Sequence, residues 1–247
     1  MRQPSPRRWT RLAASFAFAA CLLLAGTMLL GGYFESEAYA LVPAAGPARP
    51  APDTGALYWS GDMGMRVGIG EGLVDDVAAS GIPVLTVSSP MLFAAGRDRA
   101  FVEEAVESSV RAALARTHAR QLVVIGNSFG ADILGAGLGA LPQDLRSRIA
   151  SVILLVPGRD IYFHANPTGI FYRGPTDASP AHTIPLLHGL PVTCIYGADE
   201  DDSLCQAPAM SGAQRVQIAD GHLMLWSHRP LAQALLRAIA NPPRPFV

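Results

Sequence analysis

Gln121-Leu122-Val123-Val124-Ile125 runs directly into Gly126-Asn127-Ser128-Phe129-Gly130-Ala131-Asp132. The first five residues read as a buried strand. The Ala-, Gly- and Leu-rich stretch after Gly130 reads as a packed helix. Between them lies Gly-x-Ser-x-Gly, the spacing of a nucleophile elbow. A serine on so sharp a turn has a strained backbone, and side chains two residues either way would strike neighbouring chain. Glycines at 126 and 130 remove those side chains. The Ser128 hydroxyl is then presented at the end of the sheet, beside the positive end of a helix. Taken alone, the motif is also compatible with an ordinary Gly-rich turn, so the decision needs an acid and a histidine in the right order.

Both are present. The apolar strand 192–196 ends in Gly197-Ala198-Asp199-Glu200-Asp201-Asp202, and strand 215–219 ends in Asp220-Gly221-His222. The order Ser, acid, His is that of α/β-hydrolases and not of chymotrypsin or subtilisin. Each candidate follows a strand, where parallel α/β sheets carry their chemistry. Ser128 is then the nucleophile and His222 the general base. The carboxylate orienting His222 is Glu200, three residues beyond the strand-ending glycine, or its rival Asp202; Asp199 is a more distant choice. His118, His164, His182, His188 and His228 read as surface or helix-end residues. His164 and His182 are the exceptions to watch, because the loop around them could cover the site. An oxyanion needs two backbone donors. One is the amide of Phe129; the other is the amide of Asp62 or Met63, in the loop Ser60-Gly61-Asp62-Met63-Gly64. That loop lacks the Lys and Ser/Thr of a P-loop, and no Gly-x-Gly-x-x-Gly opens the next helix. No cofactor or metal is expected.

The chain has 247 residues and a net charge of −1, which gives no electrostatic footprint for nucleic acid. Arg2, Arg7, Arg8 and Arg11 precede an uncharged run from Leu12 to Gly32, long enough to cross a bilayer at about 20 residues. Residues 1–40 therefore read as a membrane anchor or a signal peptide. Ala38-Tyr39-Ala40 suits cleavage, whereas the length of the run suits retention. The basic flank keeps the N-terminus cytoplasmic and exports the remainder, anchored to the inner membrane or released. Residues 41–54 read as a linker, Pro- and Ala-rich from Pro43 to Pro52. Residues 55–247 form one domain. Its two cysteines, Cys194 and Cys205, form a disulfide in an oxidising compartment, or else remain two buried thiols.

The domain alternates strand and helix. Strands are predicted near 56–59, 84–88, 121–125, 151–156, 192–196 and 215–219, and helices near 70–80, 98–117, 129–140 and 231–240. This implies an α/β-hydrolase fold, a mostly parallel sheet of about six strands with helices on both faces. The stretch Gly158–Leu190 interrupts the rhythm. With Tyr162, Phe163, Phe171 and Tyr172, it reads as a cap supplying an apolar substrate wall, with Tyr162 and Phe163 as binding residues, or else as a loop that its aromatics merely pin down.

The chain resembles the VirJ/AcvB group of bacterial virulence proteins. The resemblance is carried by Tyr58-Trp59-Ser60-Gly61-Asp62, Gly126–Asp132, Cys194-Ile195-Tyr196-Gly197, Ser203-Leu204-Cys205 and Gly221-His222. Asn127 stands where the group would have Tyr, and Met63-Gly64-Met65 where it would have Gly-Gly-Trp. The resemblance implies a periplasmic hydrolase of aminoacyl-phosphatidylglycerol with lysyl or alanyl head groups. Asp132 or Asp62 could then select the cationic amine; a favourable charge in the first helical turn is the plainer role for Asp132. The alternatives are a generic exported esterase or thioesterase, or a non-catalytic periplasmic module serving a secretion-system partner.

Overall fold

The computed structural model describes residues 6–45, 53–168, 172 and 174–246. Seven strands form one sheet: β1 (Tyr39–Val42), β2 (Thr54–Trp59), β3 (Val84–Val87), β4 (Gln121–Asn127), β5 (Ile149–Leu155), β6 (Val192–Gly197) and β7 (Gln214–Ile218). Their order is β1-β3-β2-β4-β5-β6-β7. All neighbours run parallel except β1, which lies antiparallel to β3. The six strands expected from the sequence are all present. The seventh, β1, falls where the leader and linker were drawn, and the boundary at residue 40 would divide it. Four residues are too few for a periodic signal. Most of the Pro- and Ala-rich stretch, residues 46–52, lies outside the described residues.

Successive strand residues face opposite sides, and both sides are covered. Leu57, Trp59, Leu122, Val124, Val152 and Leu154 share one core with helices α4 (Arg99–Thr117) and α5 (Phe129–Gly137). Ala56, Tyr58, Val123, Ile125, Ile153 and Leu155 share the other with α2 (Gly70–Ala79) and α8 (His228–Ala240). This two-sided burial is why the strands read as continuous apolar runs. Helix α4 begins where Asp98 accepts a hydrogen bond from the Phe101 amide at 2.9 Å, satisfying one orphan donor. Helix α5 passes into a 3₁₀ turn at Leu138–Ala140. Three short helices, α3 (Ser89–Phe93), α6 (Gln143–Arg146) and α7 (Pro180–Thr183), had too few residues for a periodic signal.

An N-terminal helix, α1 (Pro6–Leu30), precedes the sheet. Its stretch Thr10–Leu30 is 21 residues long with mean hydropathy 2.1 and lies unburied against the protein. At the other end of the fold, Cys194 on β6 and Cys205 are joined by a disulfide with Cα atoms 5.5 Å apart. Apolar helix and disulfide are both consistent with export.

The disulfide joins cysteines 11 positions apart. Closing so short a loop in the unfolded chain is worth about 3 kcal/mol. Urea unfolding with and without reductant should therefore differ by about that amount in wild type. Reductant should have no such effect in Cys205→Ser.

Candidate functional site

Ser128 sits between β4 and α5 with φ +50° and ψ −119°, a conformation costly for any residue with a Cβ. Its neighbours hold it there. The Ser128 amide donates to the Leu155 carbonyl at 2.8 Å, and the Ser128 carbonyl accepts from the amides of Ala131 (2.8 Å) and Asp132 (3.1 Å). A Cβ at Gly126 would lie 2.6 Å from the Ala131 backbone, and one at Gly130 2.5 Å from the carbonyl oxygens of Trp59 and Ser60. Both glycines are therefore demanded by packing at the turn.

The loop after β7 brings His222 to the serine. Ser128 Oγ and His222 Nε2 are 2.9 Å apart, and His222 Nδ1 lies 2.6 Å from Glu200 Oε1. The second Glu200 oxygen accepts from the Gly197 amide at 2.6 Å. Asp202 does not take this position; it is exposed and lines a cavity beside Ser128. Asp199 and Asp201 are exposed as well. Glu200 alone of this acid run is buried, because the strand-ending turn tucks its carboxylate under the imidazole and against the Gly197 amide. The disulfide closes the same segment at its base, and Gln206 Nε2 donates to the Glu200 carbonyl at 2.6 Å. Burial alone would lower the His222 pKa. The hydrogen bond and then the charge of Glu200 outweigh that, and the net direction is upward.

The Phe129 amide opens α5, so it has no intrahelical acceptor. Asp62 and Met63 line a cavity with Ser128 and His222. Their loop is tied down from three directions. Tyr33 Oη donates to the Asp62 carbonyl (2.8 Å), Tyr172 Oη to Asp62 Oδ2 (2.6 Å), and Ser89 Oγ to the Ser60 carbonyl (2.6 Å). Neither tyrosine carried a sequence signal for this role, since each acts across a long stretch of chain. Val156, a β-branched residue at φ +45°, also lines this cavity and was equally silent in the sequence.

Two cavities of opposite character meet at Ser128. One, of about 140 Å³, is walled by apolar residues including Met63, Val67, Ile69, Leu223 and Leu225. The other, of about 390 Å³, is lined by Asp132, Arg159, Asp160, Tyr162, Tyr172 and Asp202. The expected apolar wall in the cap is therefore mixed: the rings of Tyr162 and Tyr172 stand beside Asp132, Arg159, Asp160 and Asp202. Ile161, Phe163 and Ala165 turn inward, while Tyr162 and His164 are only half buried and contact Tyr172. Phe163 is thus a core residue and not a binding residue; alternation along an extended segment separates it from Tyr162. Phe171 lies outside the described residues. Asp132 lines the polar cavity and accepts from the Gly158 amide at 2.9 Å. Burial first, and then the charges of Asp62, Asp202 and Glu200, push its carboxyl well above the usual range. Burial raises Asp62 as well.

The remaining histidines serve structure. His118 caps α4 in the left-handed conformation, His182 meets Ser179, His188 packs on Phe246, and His228 pairs with Asp76. Among the described residues, no cluster of side chains suits a metal ion.

Residues 53–242, more than half of the chain, match the family described as bacterial virulence protein (VirJ). The chain belongs to the VirJ family. Among curated proteins none matches it. Solved structures share the VirJ-family fold at low identity. Est1E from Butyrivibrio proteoclasticus, solved with ferulic acid bound, gives a TM-score of 0.59 at 13% identity over 82% of this chain and 95% of its own. An alpha-beta serine hydrolase homologue from Coxiella burnetii gives 0.57 at 13% over 81% and 90%. Carboxylesterase CesB from Bacillus subtilis gives 0.55 at 14% over 88% and 97%. At such identities the likeness establishes the fold, so the chemistry must be argued from this VirJ-family site itself.

If His222 acts as a general base, it must be neutral and works above its pKa. Ester hydrolysis should therefore rise with pH through a midpoint above the ordinary imidazole value of about 6.5. Glu200→Gln removes the largest of the interactions that raise His222, leaving the charges of Asp62 and Asp202. The acidic limb of kcat/KM should then move to lower pH, and kcat should fall by about 10⁴-fold. An unmoved limb in a nitrophenyl-ester assay would remove Glu200 from this role.

Proposed function

We propose that this chain is an exported serine hydrolase that cleaves the aminoacyl ester of aminoacyl-phosphatidylglycerol, lysyl or alanyl. The observation that carries the reading is the position of the Ser128 hydroxyl between an acidic cavity and an apolar one. Such an ester has the matching asymmetry: a cationic amine on its acyl side and a lipid on its alcohol side. The acidic side holds more negative charge than its single Arg159 balances. Asp132 is raised by burial and by repulsion from Asp62, Asp202 and Glu200, and the charge of a bound ammonium group would counter that rise.

The steps follow from the distances. Ser128 Oγ attacks the ester carbonyl while His222 Nε2 takes the hydroxyl proton. Glu200 holds the imidazole by Nδ1 and stabilises its cation. The oxyanion is met by the Phe129 amide and by the amide of Asp62 or Met63. As the tetrahedral species collapses, His222 gives its proton to the glycerol oxygen and phosphatidylglycerol leaves. Water, deprotonated by His222, then attacks the aminoacyl-Ser128 ester. Free amino acid departs and the serine is restored.

Cells lacking the gene should accumulate aminoacyl-phosphatidylglycerol, read by mass spectrometry of extracted lipid. Wild type should reverse this and Ser128→Ala should not. Equal lipid profiles with and without the gene would overturn the substrate. A second measurement concerns the amine. The preference for an aminoacyl ester over a neutral ester of equal size should fall roughly tenfold or more in Asp132→Asn, the worth of one charge-assisted contact. An unchanged preference would leave Asp132 only its bond to the Gly158 amide.

A further inference from the structure

The loop that carries His222 continues as Leu223-Met224-Leu225-Trp226. Met224 is buried, whereas Leu223, Leu225 and Trp226 are 46, 63 and 89% exposed. Leu223 and Leu225 line the apolar cavity at Ser128, and with Trp226 beside them in sequence this turn exposes three large apolar side chains, which is costly in water. The turn is nonetheless held in place. Asp220 accepts from the Gly221 amide (2.8 Å) with one oxygen and from the Trp226 amide (2.9 Å) with the other, and Met224 N–H donates to the Gly221 carbonyl at 3.1 Å. A fixed turn that points apolar groups outward is built to meet something apolar.

The end of α1 identifies the occupant. The helix is long enough to cross a bilayer, at about 30 Å for its apolar stretch. It does not lead into a loose tether. The Gly31 amide donates to the Thr27 carbonyl at 2.7 Å, continuing the last turn, and the Gly31 carbonyl packs where any side chain on Gly64 would sit. Tyr33 then bonds the Asp62 carbonyl, and Glu35 pairs with Arg66 at 3.0 Å. Phe34, between them in sequence, is 70% exposed. Gly64 lines the same cavity as Leu223 and Leu225. The exit of the membrane helix and the apolar turn therefore flank one loop, with Ser128 beneath it.

We propose that Leu223, Leu225 and Trp226 form a membrane-docking lip, which seats the apolar mouth of the Ser128 cavity on the bilayer that α1 crosses. Tryptophan is suited to that depth, with an apolar ring and a polar N–H at the interface. Lipid would enter the apolar cavity without crossing water. The inference also requires α1 to stay attached. Cleavage after Ala40 would remove Tyr33 from Asp62 and split β1. It rests on the anchor and the turn, and is independent of which ester is cleaved.

The test uses the full chain in vesicles of phosphatidylglycerol and phosphatidylethanolamine, with or without brominated acyl chains. Trp9 and Trp59 also emit, so the signal read is the part removed by Trp226→Phe. Brominated lipid should quench that part strongly. Unquenched emission, whether Trp226 faces water or a protein partner, overturns the lip. Separately, Trp226→Ser should hydrolyse a short water-soluble ester as wild type does but lose roughly tenfold on ester presented in vesicles, reflecting lost interfacial burial. Equal loss on both substrates, or none on vesicles, also overturns it. If wild type cleaves no lipid ester at all, the substrate reading above fails while the quenching result still decides the lip.

Discussion

The left-handed backbone of Ser128 is the constraint from which the rest of the site follows. A residue with a Cβ at φ +50° costs of order 1–3 kcal/mol and persists only where the surroundings leave no alternative. Here β4 ends below it and α5 begins immediately above it. The carbonyls of Trp59 and Ser60, at the end of β2, press against Gly130 from the side. Trp59 is fixed in turn by its Nε1 bond to Ser109 Oγ at 3.2 Å and by its tilted contact with Phe93, which packs edge-on to Phe129. The strain is thus held by a buried aromatic cluster between the sheet and α4. The same crossing that forces the turn carries the 60–64 loop toward the serine, since that loop is the direct continuation of β2.

Much of this was legible in the chain because it depends on local rules. The elbow needs two glycines at fixed spacing, parallel strands need apolar runs, and the chemistry must follow strand ends. Those rules located Ser128, His222 and the segment containing Glu200. They did not separate Glu200 from Asp202. That separation rests on burial: one carboxylate folds under the imidazole to reach the Gly197 amide, while the other faces a cavity. Nor could periodicity set the phase of the cap. An extended segment alternates its side chains, and aromatic character alone does not say whether Tyr162 or Phe163 faces inward. The contacts of Tyr33 and Tyr172 with Asp62 span 29 and 110 positions, and no local pattern encodes such pairings.

The division of the site into two cavities has the same origin as the division of the core. β2 and β4 each put alternate residues on opposite faces, and the elbow stands at the seam between them. On the α2 side, the loop before that helix and the turn after His222 contribute Val67, Ile69, Leu223 and Leu225, and the space is apolar. On the cap side, the first turn of α5 and the loop beyond β5 contribute Asp132 and Asp160, and the space is acidic. In the proposed reaction the two ends of the ester would be recognised by different elements, with the scissile bond at the boundary.

Asp62 is where these parts are coupled. Its carbonyl is bonded by Tyr33, just beyond α1, and its carboxylate by Tyr172, in the cap. Each bond alone would be a modest contribution, at about 1–3 kcal/mol for one involving a charged group. Their effect is geometric. An amide that stabilises an oxyanion must be held within a fraction of an ångström, and a short loop with Gly61 and Gly64 at its ends has little rigidity of its own. Clamping both the backbone and the side chain of the residue between them supplies it. The carboxylate that ties the cap down also contributes to the negative charge shared with Asp132. A cation bound beside Asp132 would lessen that repulsion and so favour the ionised Asp62 to which Tyr172 donates. In the proposed reaction, binding of the acyl end and ordering of the 60–64 loop would thereby be linked through one buried side chain.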